Sequence, residues 1–227
     1  MRRATTNGIC AYCNTEIPKN SRSILSHFSD CHGRQAIEGT GSAEYVLLLI
    51  QAKYSPHYWL VVKARSDVSM KMIDKFLRDI WLECCGHFSE FSDKNATIPM
   101  SRPLTQVLSR GLKIEYVYDY GSSTELTLSM IQTIQDVDEG QLLVLFRNQE
   151  PEYECSSCNK KAVAICPYCI DEGEGYLCQS CIGQHKCVQE EGEDLLSPLT
   201  NSPRIGVCGY TGSIDKQIKK YFPKNTL

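Results

Sequence analysis

The stretch CSSCNKKAVAICPYCIDEGEGYLCQSCIGQHKC, residues 155–187, carries seven of the chain's thirteen cysteines and one of its five histidines within 33 residues. Between the cysteines the large apolar residues are few: Val163, Ile165, Tyr168, Tyr176, Leu177 and Ile182. They cannot form a core by themselves, so cross-links must supply the folding free energy. Disulfides fit poorly. Thirteen is odd, and the opening MRRATTNGICAYC lacks the apolar core of a secretory signal. The expected setting is the cytoplasm, where thiols stay reduced and clustered cysteines favour metal. A structural zinc ion contributes on the order of 10 kcal/mol or more to a small module.

The ligand pairs are Cys155-x2-Cys158, Cys166-x2-Cys169, Cys178-x2-Cys181 and His185-x-Cys187. Eight ligands complete two tetrahedra. A catalytic zinc would keep three protein ligands and a water, so this pattern points to structural metal. Two pairings are open. A cross-brace joins the first pair to the third and the second to the fourth, resembling RING, B-box and MYND-type modules. A sequential arrangement makes two beads, the second squeezed into ten residues. The cross-brace is favoured.

A second cysteine group lies near the N-terminus, in CAYCNTEIPKNSRSILSHFSDCH. Cys10 and Cys13 are followed after thirteen residues by His27, then by Cys31 and His32. This is close to zinc-finger spacing, with a knuckle supplying two thiolates and a helix two further ligands. SRSILSHFSDCH reads as the helix, with Ile24, Leu25 and Phe28 on its apolar face. His27 and Cys31 lie four residues apart on one side. Cys31 is the favoured fourth ligand and His32 the competitor. The two regions together predict about three Zn²⁺ ions.

Between them, residues 43–149 have the patterning of a hydrophobic core. AEYVLLLIQAK and YWLVVKARS read as strands around the turn YSPH. MKMIDKFLRDIWLECCG reads as a helix with Ile73, Phe76, Leu77, Ile80, Trp81 and Cys84 on its apolar face, Ser69 as N-cap and Gly86 as C-cap. GLKIEYVYDYG alternates, with Leu112, Ile114, Tyr116, Tyr118 and Tyr120 on one face, and a GSS turn joins it to ELTLSMIQTI in a hairpin. QLLVLFRNQ reads as a last strand. The predicted architecture is α+β: a small mixed sheet with a packed helix (43–149), flanked by an N-terminal C2H2/C2HC-like finger (1–36) and a C-terminal two-zinc cysteine-rich module with its tail (150–227).

The stretch from His87 to Phe91 and the hairpin Tyr116–Gly121 carry a family resemblance. With the order of strands and helix around them, the middle segment resembles the pRiA4b-type plasmid ORF-three-like family, whose relatives include insertion-element passenger proteins. The resemblance spans about 90 residues. The whole chain, fingers included, is similar to uncharacterised microbial proteins in a subgroup of that family. The family's Trp-Arg-Arg in the second strand is Tyr58-Trp59-Leu60 here, and its Gly-Trp after the helix is Cys84-Cys85-Gly86. The resemblance implies a fold and carries no activity with it.

No P-loop, dinucleotide-binding glycine fingerprint, HExxH or GxSxG occurs, and no apolar run approaches a membrane span. Cys84 reads as a small hydrophobe on the helix face, and Cys208 in RIGVCGYTG as a buried turn residue. A thiol enzyme using Cys208 or His87 in an interdomain cleft is a third reading that no motif supports. Charge separates the other two. The net charge of −3 is uneven: residues 1–36 carry +3 and residues 150–194 carry −7. Nucleic-acid contact would therefore fall on the finger, through Arg22 and Arg34 beside its helix, helped by Lys216, Lys219, Lys220 and Lys224 in the tail. The leading expectation is a non-catalytic binding or adaptor protein with a protein partner. Nucleic acid is the alternative, and no membrane is involved.

Overall fold

The structure, a computed structural model, describes residues 7–32, 42–94, 96–138 and 140–223. Arg34 and Lys224 fall outside these residues, as does the side chain of His32. No helix among the described residues is long and apolar enough to cross a membrane.

The centre is one nine-stranded sheet. In chain order the strands are β1 (Gly8–Cys10), β2 (Glu16–Ile17), β3 (Ser42–Ala52), β4 (Trp59–Arg65), β5 (Ser89–Ser92), β6 (Thr97–Ile98), β7 (Lys113–Tyr118), β8 (Thr124–Val137) and β9 (Leu142–Asn148). Their spatial order is β2-β1-β9-β4-β3-β8-β7-β5-β6, with every pairing antiparallel. The expected small mixed sheet is thus corrected to a large antiparallel one. Two additions enlarge it. The knuckle strands β1 and β2 join the edge at β9, where Gly8 faces Asn148 and Cys10 faces Phe146. The short β5 and β6 extend the opposite edge beyond β7.

Both faces of the sheet's centre are covered, which explains the near-continuous apolar runs in β3, β4 and β9. On one face Val46, Leu48, Ile50, Leu60, Val62 and Val144 pack beneath α2 (Met70–Leu77) with Ile73, Phe76 and Leu77. On the other, Leu47, Trp59, Val61 and Leu145 meet α1 (Ser21–His32) through Ile24, with Leu25 and Phe28 alongside. A register shift between Val61 and Val62 against β9 lets Phe146 join this second face, out of step with Val144. Trp59 is fully buried. Its ring lies so close to Gly8 that a side chain there would overlap it.

Local signals explain the helices. The Asn20 side chain accepts a hydrogen bond from Ser23 N at the start of α1, and Ser69 caps α2 by accepting from Met72 N. After Leu77 the helix widens into a π-turn, Arg78–Leu82, closed by Glu83 N donating to Arg78 O. In β7, Ile114, Tyr116 and Tyr118 are buried. The predicted alternation fails at its ends. The strand stops at Tyr118 and Asp119 turns to φ +65°, so Leu112 is 36% and Tyr120 61% exposed.

The cysteine-rich region has its own three-stranded sheet, ordered β11 (Tyr176–Leu177), β10 (Ala164–Ile165), β12 (Ser197–Pro198), and a short helix α3 (Lys186–Glu191). Tyr153 stacks on Tyr176 at 4.5 Å between ring centres, and its hydroxyl lies 2.6 Å from that of Tyr58 and 3.3 Å from His57 Nε2. Beyond β12 the chain returns to the main sheet. Asn201 bonds both Asn148 and Arg147, Ser202 Oγ donates to Trp81 O at 2.6 Å, and Arg204 is fully buried. A final short helix, α4 (Asp215–Ile218), leads to Tyr221, whose ring meets Phe76 edge-on.

Candidate metal centres

The fold gathers all thirteen cysteines and three of the five histidines into four groups. In each group the four potential ligand atoms lie within 4.8 Å of one another. Three groups consist of residues that sequence spacing singles out; the fourth does not.

Cys10, Cys13, His27 and Cys31 form the first group. Cys10–Asn14 make a tight knuckle. Asn14 takes φ +57°, its N–H donates to Cys10 O, and Cys10 N donates to Thr15 O. Asparagine tolerates the left-handed conformation that this turn needs. α1 then carries His27 and Cys31 to the knuckle, with Cys13 Sγ 3.2 Å from His27 Nε2. The His27 ring meets Phe146 edge-on at 5.9 Å, which fixes it against β9.

The same knuckle recurs at the second group. Asn159 takes φ +59° after Cys158, its N–H donates to Cys155 O, and Cys155 N donates to Lys160 O. Cys155 and Cys158 meet Cys178 and Cys181, with Cys158 Sγ 3.4 and 3.5 Å from the two partners. Cys166 and Cys169 meet His185 and Cys187 in the third group, where Cys169 Sγ lies 3.6 Å from both His185 Nε2 and Cys187 Sγ. The pairing is thus crossed, first with third and second with fourth. The β10–β11 pairing explains it: Ala164 faces Leu177 and Ile165 faces Tyr176, which sets the second and third cysteine pairs on opposite strands. Gly175 permits the close return. A side chain there would stand 2.8 Å from Ile170 N and Cα and from Cys166 O. Gly175→Ala is expected to destabilise this region by about 1–3 kcal/mol and to speed metal release from the third group several-fold. Timed transfer of metal to a chromophoric chelator measures it; an unchanged rate would contradict the crowding.

The fourth group is Cys84, Cys85, His87 and Cys208. This corrects the expectation for these residues. Cys84 does touch the core beneath α2, but Cys208 is exposed rather than buried, and all four converge. The π-turn delivers Cys84 and Cys85 at the end of the helix, and His87 follows just before β5. Cys208 comes from the far side of the chain. The signal was arithmetic. Assigning the other three groups leaves three cysteines over, two of them beside a histidine. The expected number of about three metal sites becomes four groups placed to hold a metal ion.

In every group the thiols resist ionising together. Cys31 and Cys169, disfavoured first by burial and then by neighbouring thiols, are pushed up to about 12. Cys181 and Cys85 reach about 12 through the adjacent thiols of Cys158 and Cys208 respectively. Cys13 moves the other way. Burial opposes its thiolate, but hydrogen bonds from Thr15 hold it at about 6. The Ser180 hydroxyl does the same for Cys178. A bound divalent cation is what lets three or four thiolates share one site.

Of the residues proposed for nucleic acid, Arg22 is exposed on α1. Lys19 is not available: its ammonium donates to Gln51 Oε1 and Pro56 O, and burial lowers its pKa to about 8. In the tail, Lys220 is paired with Asp79 at 2.9 Å. A cavity of about 770 Å³ opens beside the first group, between β1, the end of β9 and residues 215–223. Its lining mixes Arg147 and Lys219 with Glu150 and Asp215.

No protein-family model matches the chain, and no curated protein matches it. Among solved structures, the crystal structure of MM3350, a protein of unknown function from Methanosarcina mazei Go1, is similar over 46% of this chain and 69% of that one, at 10% identity and a TM-score of 0.42.

Proposed function

We propose that this is a zinc-scaffolded binding protein without catalytic activity, whose partner is another protein. The observation that carries the reading is that all thirteen cysteines lie in closed four-ligand groups. Zinc is the metal that suits sets of four thiolates, or of three thiolates and an imidazole, and a site with four protein ligands leaves no open position for a substrate. The middle segment is read as a relative of the plasmid ORF-three-like family on the strength of its His87–Phe91 and Tyr116–Gly121 motifs, which brings no activity with it.

Charge favours a protein partner over nucleic acid. Residues 150–194 carry −7, and seven thiolates on two Zn²⁺ ions add about −3. That surface repels phosphate. On the finger, Lys19 is held internally. Four aromatic rings are exposed instead, Phe88 at 84%, Tyr168 at 63%, Tyr54 at 62% and Tyr120 at 61%, side-chain types enriched where proteins meet. The test is a salt titration of the zinc-loaded protein against a short duplex and a single strand. Binding is expected to be absent, or weak and lost by about 200 mM salt. Tight binding to either that survives that salt would replace this reading with the nucleic-acid one.

A further inference from the structure

We propose that Cys84, Cys85, His87 and Cys208 hold a fourth Zn²⁺ ion, and that this ion is a latch fastening the strap of residues 201–212 across the end of the main sheet.

The geometry is that of a collapsed tetrahedron. Zn–S bonds of about 2.3 Å and Zn–N bonds of about 2.0 Å imply ligand–ligand edges of roughly 3.5–3.8 Å. Here Cys84 Sγ and Cys85 Sγ are 3.8 Å apart, Cys85 Sγ and Cys208 Sγ 3.5 Å, and His87 Nε2 and Cys208 Sγ 3.3 Å, with the Cys85–His87 edge shorter at 2.9 Å. Two of these edges fall within the 3.2–3.6 Å span of the other three groups, one is longer and one shorter. They are far from the roughly 2.05 Å of a disulfide.

The surroundings suit a metal-bound thiolate. The Arg204 guanidinium donates to Cys84 Sγ at 3.6 Å and to Asp119 Oδ2 at 2.6 Å. The Tyr118 hydroxyl lies 3.8 Å from the same sulfur. Three thiolates on Zn²⁺ leave one negative charge, and Arg204 faces it. Donors of this kind around the ligands orient them and raise metal affinity.

The strap gives the ion its task. Cys208 holds φ +51° between Gly206 at +72° and Gly209 at +62°, a backbone that costs a cysteine about 1–2 kcal/mol. Something must hold it there, and the one side chain at this turn that can be tethered is the thiol. Unlike the other groups, this one joins segments 123 residues apart. A link that closes so long a loop removes more chain entropy than one closing a short loop. It secures Ser202, Arg204 and Tyr210, all buried, and with them the return path of the cysteine-rich module.

The test is native mass spectrometry of the full zinc-loaded chain beside Cys85→Ser and Cys208→Ser, which change exposed residues. Four ions are expected in the parent and three in each variant, with cleavage of the strap by a non-specific protease at least tenfold faster in the variants. Three ions in the parent, or a variant that keeps the parent's count, would overturn the site; equal strap resistance would overturn the latch. The ions left in the variants report separately on the other three groups and so on the scaffold reading. Should both variants fail to fold, iodoacetamide labelling of the parent decides. Cys84, Cys85 and Cys208 should be protected together and become reactive in one step as chelator is added. Prompt labelling of Cys85 alone, with the other cysteines protected, would instead identify a free thiolate activated by His87.

Discussion

Complete removal of metal is expected to unfold residues 150–198 outright while strands β3–β9 stay ordered. The contrast rests on what each part buries. The cysteine-rich module has a cluster of four buried side chains, Cys166, Leu177, Ile182 and Val188, one of them a ligand. The main face of the sheet buries 29. Zinc bound to such a module contributes about 10–16 kcal/mol per site, as much as the whole stability of an ordinary domain. With two ions gone, nothing of comparable size remains. Repulsion among ten acidic side chains in residues 150–194 then acts against refolding. Residues 7–32 should lose order as well, because a shared ion is what ties Cys10 and Cys13 of the knuckle to His27 and Cys31 of α1, and without it only the knuckle's backbone hydrogen bonds and the packing of Ile17 and Ile24 remain. Backbone amide spectra before and after chelation measure this. Retained dispersion in 150–198 would show that the module is held by something other than metal. Loss in β3–β9 would show that the sheet depends on its ends.

Replacing Trp59 by alanine is expected to cost about 3–5 kcal/mol, the range for emptying a buried aromatic site. The indole is fully buried on the second face of the sheet, in one cluster with Ile17 and Ile24 of the N-terminal region and Leu145 and Phe146 of β9. The Lys19 ammonium stands 6.0 Å from the ring centre. The hydrogen bond from Trp59 N to Asn148 Oδ1 comes from the backbone and stays available in the variant, so the loss is one of packing. The damage should be directional. Metal affinity at Cys10, Cys13, His27 and Cys31 should fall along with the urea midpoint, whereas the second and third groups, which do not touch Trp59, should keep theirs. A stability loss below about 1 kcal/mol, or an equal fall in affinity at all sites, would contradict this packing.

What could be read from the sequence follows the range over which each rule acts. α1, the Ser69 cap and the buried alternation of Ile114, Tyr116 and Tyr118 are set by neighbours within a turn or a strand, and each occurs where periodicity places it. The crossed grouping of Cys155 and Cys158 with Cys178 and Cys181 favoured from the short spacings is the one the structure has. Long-range partners were not legible. Nothing near Gly8 announces that its strand will pair with β9, so the sequence alone predicts a smaller sheet than the nine strands that form. Cys208 is separated from Cys85 by 123 residues, and spacing rules see only ligands that are close in sequence. Continuous apolar runs such as YVLLLI contained the hint that β3 is covered on both sides, but not that α1 would be the cover.

The β1–β9 edge also dictates when the molecule can be completed. Gly8 leaves the ribosome 140 residues ahead of its partner Asn148. At about 5–20 residues per second the first strand waits roughly 7–28 s for the strand it must join. Such distant pairing is slow to find. During that interval Cys10, Cys13, His27 and Cys31 can already close around an ion, because all four emerge early and lie close together. The first metal would then act in time as well as in space: it keeps the opening segment folded back and its apolar face presented, ready for an edge that does not yet exist.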